Sequence, residues 1–381
     1  MIKVGITGQS GFVGKHLFNT LGLYSNHFSR INFENSYFQN SQKLEAFVSQ
    51  CDVIFHLAAL NRHKDPDVIY STNMLLVEQI IATMERTNST PHVLFASSTQ
   101  EDCDNPYGKS KKDGRRLFER WADKEGAQFS GLVIPNLYGP FGRPYYNSVV
   151  ATFCHQLTHN ETPEIKGDSE IKLIYVGELV DFLIDKLYIK ASTLNKSAEK
   201  YGDLFFVPHS ETIKVSQLLD VLSAFKENYF KRGIIPDLNS SFERNLFNTF
   251  LCYIDHKSFF PYKLKLNTDE RGSFVEVIKL NSGGQVSFST TVPGITRGDH
   301  YHTRKSERFA VIKGKARIDI RQIDTDNTLS FELDGRTPSF VDMPVWHTHN
   351  ITNIGDEELY TIFWISEHFN QDDQDTFFEK V

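Results

Sequence analysis

The sequence has little of what holds a secreted or membrane-bound protein together. Its four cysteines, Cys51, Cys103, Cys154 and Cys252, show no paired spacing. That argues against a disulfide frame or a zinc finger and for reduced thiols in a cytoplasmic protein. No apolar run approaches the roughly 20 residues that span a bilayer, and the chain enters a strand pattern at Ile2 with no charged-then-apolar leader. Positive charge is not in excess either. Lys and Arg number 41 against 48 Asp and Glu, a net charge of −7, so neither nucleic acid nor an anionic membrane is an expected partner. Internal repeats and low-complexity tracts are also missing. A chain of 381 residues is comfortable for two domains that each bury a core, and small-molecule chemistry is the expected work.

Through about Asp185, short apolar runs (KVGITG, CDVIFHLAA, HVLFASS, SGLVIPNLYG) alternate with longer periodic segments. This alternation predicts repeated βαβ units and a doubly wound parallel sheet, an α/β Rossmann architecture. After about Phe247 the runs are short and β-rich (GSFVEVIKL, QVSFSTTV, FAVIKGKARIDIRQI, TPSFVDMPV, LYTIFWIS) and are broken by Gly, Asn and Asp. They predict an antiparallel sandwich or barrel. The boundary is placed near Asn245, giving domains 1–245 and 246–381.

Thr7-Gly8-Gln9-Ser10-Gly11-Phe12-Val13-Gly14 follows a strand and opens a helix. Gly8 and Gly11 allow a tight turn against a pyrophosphate, Gly14 allows close helix packing, and the helix amino terminus faces the negative charge. Downstream, Tyr107 and Lys111 fall on one face of a helix that starts after Pro106. A lysine beside a phenol stabilises the phenolate, so Tyr107 can protonate a carbonyl oxygen as hydride arrives. Ser97 or Ser98, at the end of HVLFASS, can hold that oxygen. Near the end of the second strand Glu34 would hold a ribose diol, whereas Arg30 would favour a 2′-phosphate; both are present, which leaves NAD and NADP open.

In a strand, residues two apart share a side, so His300 and His302 can face one cation with Glu307. The stretch PVWHTHNITN adds His349, with His347 as the alternative. Three imidazoles and a carboxylate suit a divalent transition metal with an open position. Lys305 lies inside the motif and is a candidate titrating catalytic group.

The stretches TGQSGFVG, HLAA (His56 to Ala59), the serine pair, YGKSK and PNLYGP resemble, in order, the extended short-chain dehydrogenase/reductases that act on nucleotide sugars. The resemblance selects Ser98 over Ser97. It implies Phe12, Val13, Leu57 and Ala58 at the cofactor and Asn136 at the substrate. One departure is the short loop TQEDCDN between Ser98 and Tyr107. The spacing G-x5-H-x-H-x4-E-x6-G, from Gly294 to Gly314, is similar to the first cupin signature. The second runs Pro344, Trp346, His349, Asn353, with tryptophan at the glycine position, and selects His349 over His347. An all-β cupin barrel is implied. The segment NTDERGSFVEVIKL resembles one in cupin-type sugar-nucleotide epimerases, which implies that Arg271, with Glu276 beside it, meets the nucleotide phosphates or the sugar.

Over its whole length the chain resembles the bifunctional reductase/3-epimerase family of capsular polysaccharide synthesis. DNPYGKSK, YNSVVATFCHQ, DERGSFVE, PGITRGDHYH and THNITNIGD carry this resemblance. It implies a UDP-linked 4-keto-6-deoxy amino sugar as substrate. The cupin would epimerise carbon 3, and the amino-terminal domain would reduce the ketone with NADPH and Tyr107. The implied product is UDP-2-acetamido-2,6-dideoxy-L-talose, precursor of UDP-N-acetyl-L-fucosamine. Zn2+ and a homodimer are implied as well. Two other readings stand beside this one: a single-activity NAD(P)H reductase whose cupin is a structural or sugar-binding module, and an iron oxygenase.

Overall fold

The computed structural model describes residues 1–193, 202–269, 272–275, 277–280, 283–368 and 370–381. The chain packs as two compact units that are interleaved in sequence. The first comprises residues 1–138, 142–149 and 170–213, and the second comprises 139–141, 150–169 and 214–381. The change of texture near Asn245 is therefore not where packing changes hands. Helices Val215–Phe225 and Ser241–Leu251 both belong to the second unit. Their apolar faces meet there, with the Phe225 ring 5.4 Å from Phe247 and the Tyr229 ring 5.2 Å from Phe247. Helical spacing shows that such a face exists and not which partner covers it.

In the first unit, β1 (Ile2–Thr7), β2 (Phe28–Ile31), β3 (Val53–His56), β4 (His92–Ser98) and β5 (Phe129–Ile134) form a parallel sheet. Its order is β2-β1-β3-β4-β5, with Gly202–Phe206 outside β5. Helices α1 (Phe12–Leu23), α2 (Ser41–Val48), α3 (Pro66–Thr87) and α4 (Pro106–Glu125) fall between the strands. Neighbouring strand residues point to opposite faces. Phe55 and Leu94 join one core with Leu17 and Leu21 of α1, while Ile54, Val93 and Phe95 join the other with Val77, Ile80 and Phe118 of α3 and α4. The doubly wound parallel sheet read from the sequence is what forms.

The second unit carries two five-stranded antiparallel sheets. One has the order 262–263, 339–343, 307–313, 359–365, 285–291, and the other 328–334, 315–322, 347–353, 296–301, 377–378. Between alternating positions of these strands lies an apolar core that includes Ala310, Ile318, Ile320, Val341 and Ile351. One charged group is fully buried with it. Arg308 donates from Nε and Nη2 to Asp342 at 2.8 and 2.9 Å and from Nη1 to the Gly233 carbonyl at 2.7 Å, while Tyr229 donates its hydroxyl to Asp342. A buried charge is tolerable only when paired and hydrogen-bonded in this way. Because strand neighbours alternate, clamping Arg308 on one face orients Glu307 to the other.

Candidate functional site

At the end of β1 the chain turns through Gly8, whose φ of +74° favours glycine. The Gly11 N–H donates to the Gly8 carbonyl at 2.9 Å. A Cβ on Gly8 would stand 2.8 Å from the Ala58 nitrogen, and one on Gly14 would stand 2.2 Å from the Gly8 oxygen. Glycine at both positions is what lets the loop, α1 and the segment after β3 come so close. Gly11 caps α1 with no side-chain bond, and Phe12 and Val13 form the first turn. The amides of that turn, lacking intrahelical partners, face out as an anion site. Leu57 follows β3 and donates its N–H to the Thr7 carbonyl at 3.2 Å. This cradle fits the diphosphate of a dinucleotide.

At the end of β2, Arg30 donates to the Phe18 carbonyl at 3.1 Å and lies 4.4 Å over the Phe18 ring. Exposed Glu34 accepts from the Ser36 hydroxyl at 3.1 Å. A cavity of about 410 Å³ here is lined by Arg30, Asn32, Tyr37 and Lys43 and omits Glu34. Lys43 went unnoticed in the sequence, since no spacing from β2 marks it.

Asn105 accepts from the Gly108 N–H at 2.8 Å and Pro106 fills the first turn, which fixes the start of α4. Tyr107 therefore lies in the first turn and Lys111 one turn on, its ammonium 5.7 Å from the Tyr107 ring centroid and 2.8 Å from the Ala96 carbonyl it donates to. Burial draws the Lys111 ammonium down to about 8. Burial, with Tyr146 adding to it, pushes the Tyr107 phenol up to about 12. The phenol is thus protonated at neutral pH, the state needed to give a proton to a ketone. The short loop before it packs close, since a Cβ on Gly108 would stand 1.9 Å from the Gln100 carbonyl oxygen.

The two serines at the end of β4 diverge. Ser97 donates to Glu101, which Arg115 grips at 2.8 Å through both Nε and Nη2. Ser98 accepts from the Gln100 N–H at 3.2 Å, leaving its own O–H to donate. Ser98→Ala is expected to slow ketone reduction on the order of 10²-fold, the usual cost of losing one donor to a developing oxyanion. Ser97→Ala, which loses only the bond to Glu101, should leave kcat nearly unchanged and lower the melting temperature instead. NADPH absorbance and thermal unfolding read the two effects separately.

Asn73, on the buried face of α3, was missed in the sequence, although a polar side chain at a core position of STNMLLVEQ is a legible signal. It accepts from Leu60 N–H at 2.7 Å and donates to Ser110 at 2.9 Å, joining the segment after β3 to α4. Asn136 is exposed and donates to the Lys172 carbonyl at 3.3 Å. Arg271 and Glu276 lie outside the described residues.

In the second unit His300 sits in strand Thr296–Tyr301, opposite His349 of His347–Asn353, while Glu307 opens Glu307–Lys313. One ligand atom from each of His300, His302, Glu307 and His349 lies within 4.8 Å of the others. A carbonyl holds each ring from behind: Gly298 for His300, Asp375 for His302 Nδ1, and His347, at 3.1 Å, for His349 Nδ1. Carbonyls only accept, so in neutral rings these Nδ1 atoms carry the proton and the Nε2 lone pairs of His302 and His349 face inward. They lie 3.3 and 3.0 Å from Glu307 Oε2, and His302 Nε2 is buried without a hydrogen bond.

Lone pairs gathered around a carboxylate repel unless positive charge lies among them. Titration follows that demand. Burial, reinforced by His349, lowers His300 to about 4. Burial alone would raise Glu307, yet His302 and His349 hold it well below the usual carboxylate range. For His302, burial acts downward and is outweighed by Glu307, so its pKa is raised. The donor set and the buried orphan nitrogen fit a divalent metal.

One expectation changes at this site, that for Lys305. Lys305 is buried and turns its ammonium to the Gln374 carbonyl at 2.7 Å, so it is a structural donor to the carboxy-terminal tail, not a group facing the ligands. His347 packs on His256, with ring centroids 5.4 Å apart, donates to the Val345 carbonyl at 2.9 Å, and stays outside the four-atom cluster. Trp346, at the glycine position, adopts φ of +59° and so keeps the turn. The left-handed backbone costs about 1–2 kcal/mol. A stack on Tyr301 at 5.7 Å and an N–H bond to the His302 carbonyl at 2.7 Å offset that cost.

Among the described residues no helix is long and apolar enough to cross a membrane. Residues 4–187 match the NAD dependent epimerase/dehydratase family, and residues 267–377 match the Polysaccharide biosynthesis C-terminal domain. The spore coat polysaccharide biosynthesis protein SpsL of Bacillus subtilis is 25% identical over 123 residues, covering 30% of this chain and 82% of that one. The crystal structure of capsular polysaccharide assembling protein CapF from Staphylococcus aureus is similar at 33% identity and a TM-score of 0.59 over 100% of both chains. A UDP-2-acetamido-2,6-beta-L-arabino-hexul-4-ose reductase of Pseudomonas aeruginosa is 32% identical over 382 residues, 99% of this chain and 98% of that one. On that full-length similarity, the chain belongs to the family of the Pseudomonas reductase.

Proposed function

We propose that this protein is a nucleotide-sugar oxidoreductase of polysaccharide synthesis with a second, epimerising site on the same chain. The observation that carries the reading is the pairing of Tyr107 beside Lys111 in a dinucleotide-binding unit with a three-histidine, one-glutamate cluster that could hold a metal ion. The relative named as a reductase of a UDP-linked hexulose and the structure named for capsular polysaccharide assembly support it.

In this reading NADPH supplies the hydride, and Arg30 and Lys43, which line the cavity at the end of β2, favour its 2′-phosphate. Ser98 holds the carbonyl oxygen, Tyr107 gives it a proton, and the Lys111 charge stabilises the phenolate left behind. His300, His302, Glu307 and His349 would hold the metal, zinc in this reading, and the antiparallel sheets are read as a cupin barrel. Such a metal stabilises negative charge on an oxygen beside the carbon that is deprotonated. Epimerisation at carbon 3 would precede reduction to UDP-2-acetamido-2,6-dideoxy-L-talose, in a cytoplasmic homodimer. Arg271 and Asn136 are proposed sugar-nucleotide contacts.

Incubation with a UDP-2-acetamido-2,6-dideoxy-hexos-4-ulose and NADPH in deuterated water tests the reading. It expects NADPH loss together with deuterium at carbon 3. NADPH loss without deuterium would reduce the protein to a single-activity reductase, and neither signal would overturn the substrate class.

A further inference from the structure

The carboxy-terminal tail reaches back to the loop between His302 and Glu307, and one residue of it makes most of the contacts. Asp375 is buried and has φ of +42°, a left-handed conformation that Asp and Asn tolerate better than most side chains. Its Oδ1 accepts from the Thr303 N–H at 3.1 Å and the Thr303 hydroxyl at 2.6 Å. Its Oδ2 accepts from the N–H groups of Arg304 at 3.0 Å and Lys305 at 3.2 Å. The same residue's carbonyl takes the Nδ1 proton of His302. Two flanking contacts hold the tail in place: Lys305 Nζ to the Gln374 carbonyl at 2.7 Å, and Arg304 to the Asp373 carboxylate at 2.7 Å.

We propose that Asp375 is a positioning residue for the metal site: its carbonyl sets the tautomer and orientation of His302, and its carboxylate fixes the loop that spaces His302 from Glu307. The inference rests on the reading of the His3Glu cluster as a metal centre. His302 Nε2 is buried within the four-residue cluster with no hydrogen bond, so the group that aims it decides where that lone pair points. Four protein donors on one carboxylate make a rigid anchor, and a ligand aimed by a rigid neighbour binds metal more tightly than one that must be ordered on binding. Asp375 lies 73 residues from His302 in sequence, so the site is completed only when the tail docks.

Metal affinity of the full chain, measured by chelator competition, and the visible absorption of its Co(II)-loaded form provide the test. Substituting Asp375→Ala should weaken metal binding about 10–100-fold and change the Co(II) spectrum, while the apo protein keeps its far-UV circular dichroism. Asp375→Asn retains an acceptor and should recover most of the affinity. Thr303→Val is isosteric and removes only one of the four donors, so it reads out the clamp even if the alanine variant fails to fold; its affinity should fall by a smaller factor. Wild-type affinity and spectrum in both Asp375→Ala and Thr303→Val would overturn the proposal. Absence of metal binding by the unmodified chain would instead overturn the reading of the cluster as a metal centre, and this inference with it.

Discussion

Replacing Tyr107 with phenylalanine should lower NADPH-dependent ketone reduction by about 10²–10⁴-fold, the usual weight of a general acid. The substitution removes the phenolic proton while leaving the ring and its neighbour Lys111 in place. Binding of the dinucleotide, which rests on Gly8, Gly11 and Gly14, should be unaffected by titration calorimetry. Deuterium exchange at carbon 3 should continue, because the proposed function assigns it to the other site. A rate within threefold of the unmodified chain would remove Tyr107 from the reaction, and loss of exchange along with reduction would sink the division of labour.

His302→Ala should abolish deuterium entry at carbon 3 and lower bound metal. It deletes one of four donors and leaves the Glu307 carboxylate, already depressed by its histidines, with less positive charge around it. Reduction of the ketone supplied in its epimerised form should persist, since Ser98 ends β4 and Tyr107 and Lys111 stand on α4, all in the first unit. Metal analysis and mass spectrometry of the sugar decide both points. Full exchange in the variant would make the cluster structural, and a dead reductase would show that the two sites are coupled.

Local chemistry was legible in the sequence and remote support was not. The glycine loop and the Pro106 start of α4 each lie within one turn, and the interval from His300 to Glu307 spans one short connection between two consecutive strands, where residue type and interval set geometry directly. Trp346 illustrates the limit of pattern matching. Its misfit to a glycine position is local and visible, whereas the Tyr301 ring that compensates for it comes from another strand. Lys305 was misread because its partner, Gln374, lies 69 residues further along the chain. Asp375 is hidden for the same reason, since a lone polar residue shows no partner until the fold supplies one. Helix Val215–Phe225 falls inside the 1–245 domain of the sequence reading, because amphipathic spacing does not identify the surface that an apolar face will cover.

The clamp on Arg308 sets a limit on modularity. A gene fragment beginning at residue 246 would encode every strand of both antiparallel sheets, yet it would strip Gly233 from Arg308 and Tyr229 from Asp342. Each buried group stranded in this way costs about 1–3 kcal/mol, a large share of the stability of a small domain. Helix Val149–Thr158 would be missing too, along with the bond from Thr158 to the Tyr253 carbonyl at 2.9 Å. Recombination between relatives at a single junction therefore cannot exchange one half cleanly, because the polypeptide changes unit at 138/139, 141/142, 149/150, 169/170 and 213/214. Truncated descendants would inherit the Arg308–Asp342 pair without its Gly233 and Tyr229 partners, so lineages that vary sugar chemistry are expected to do so by point substitution around the two sites and not by swapping whole modules.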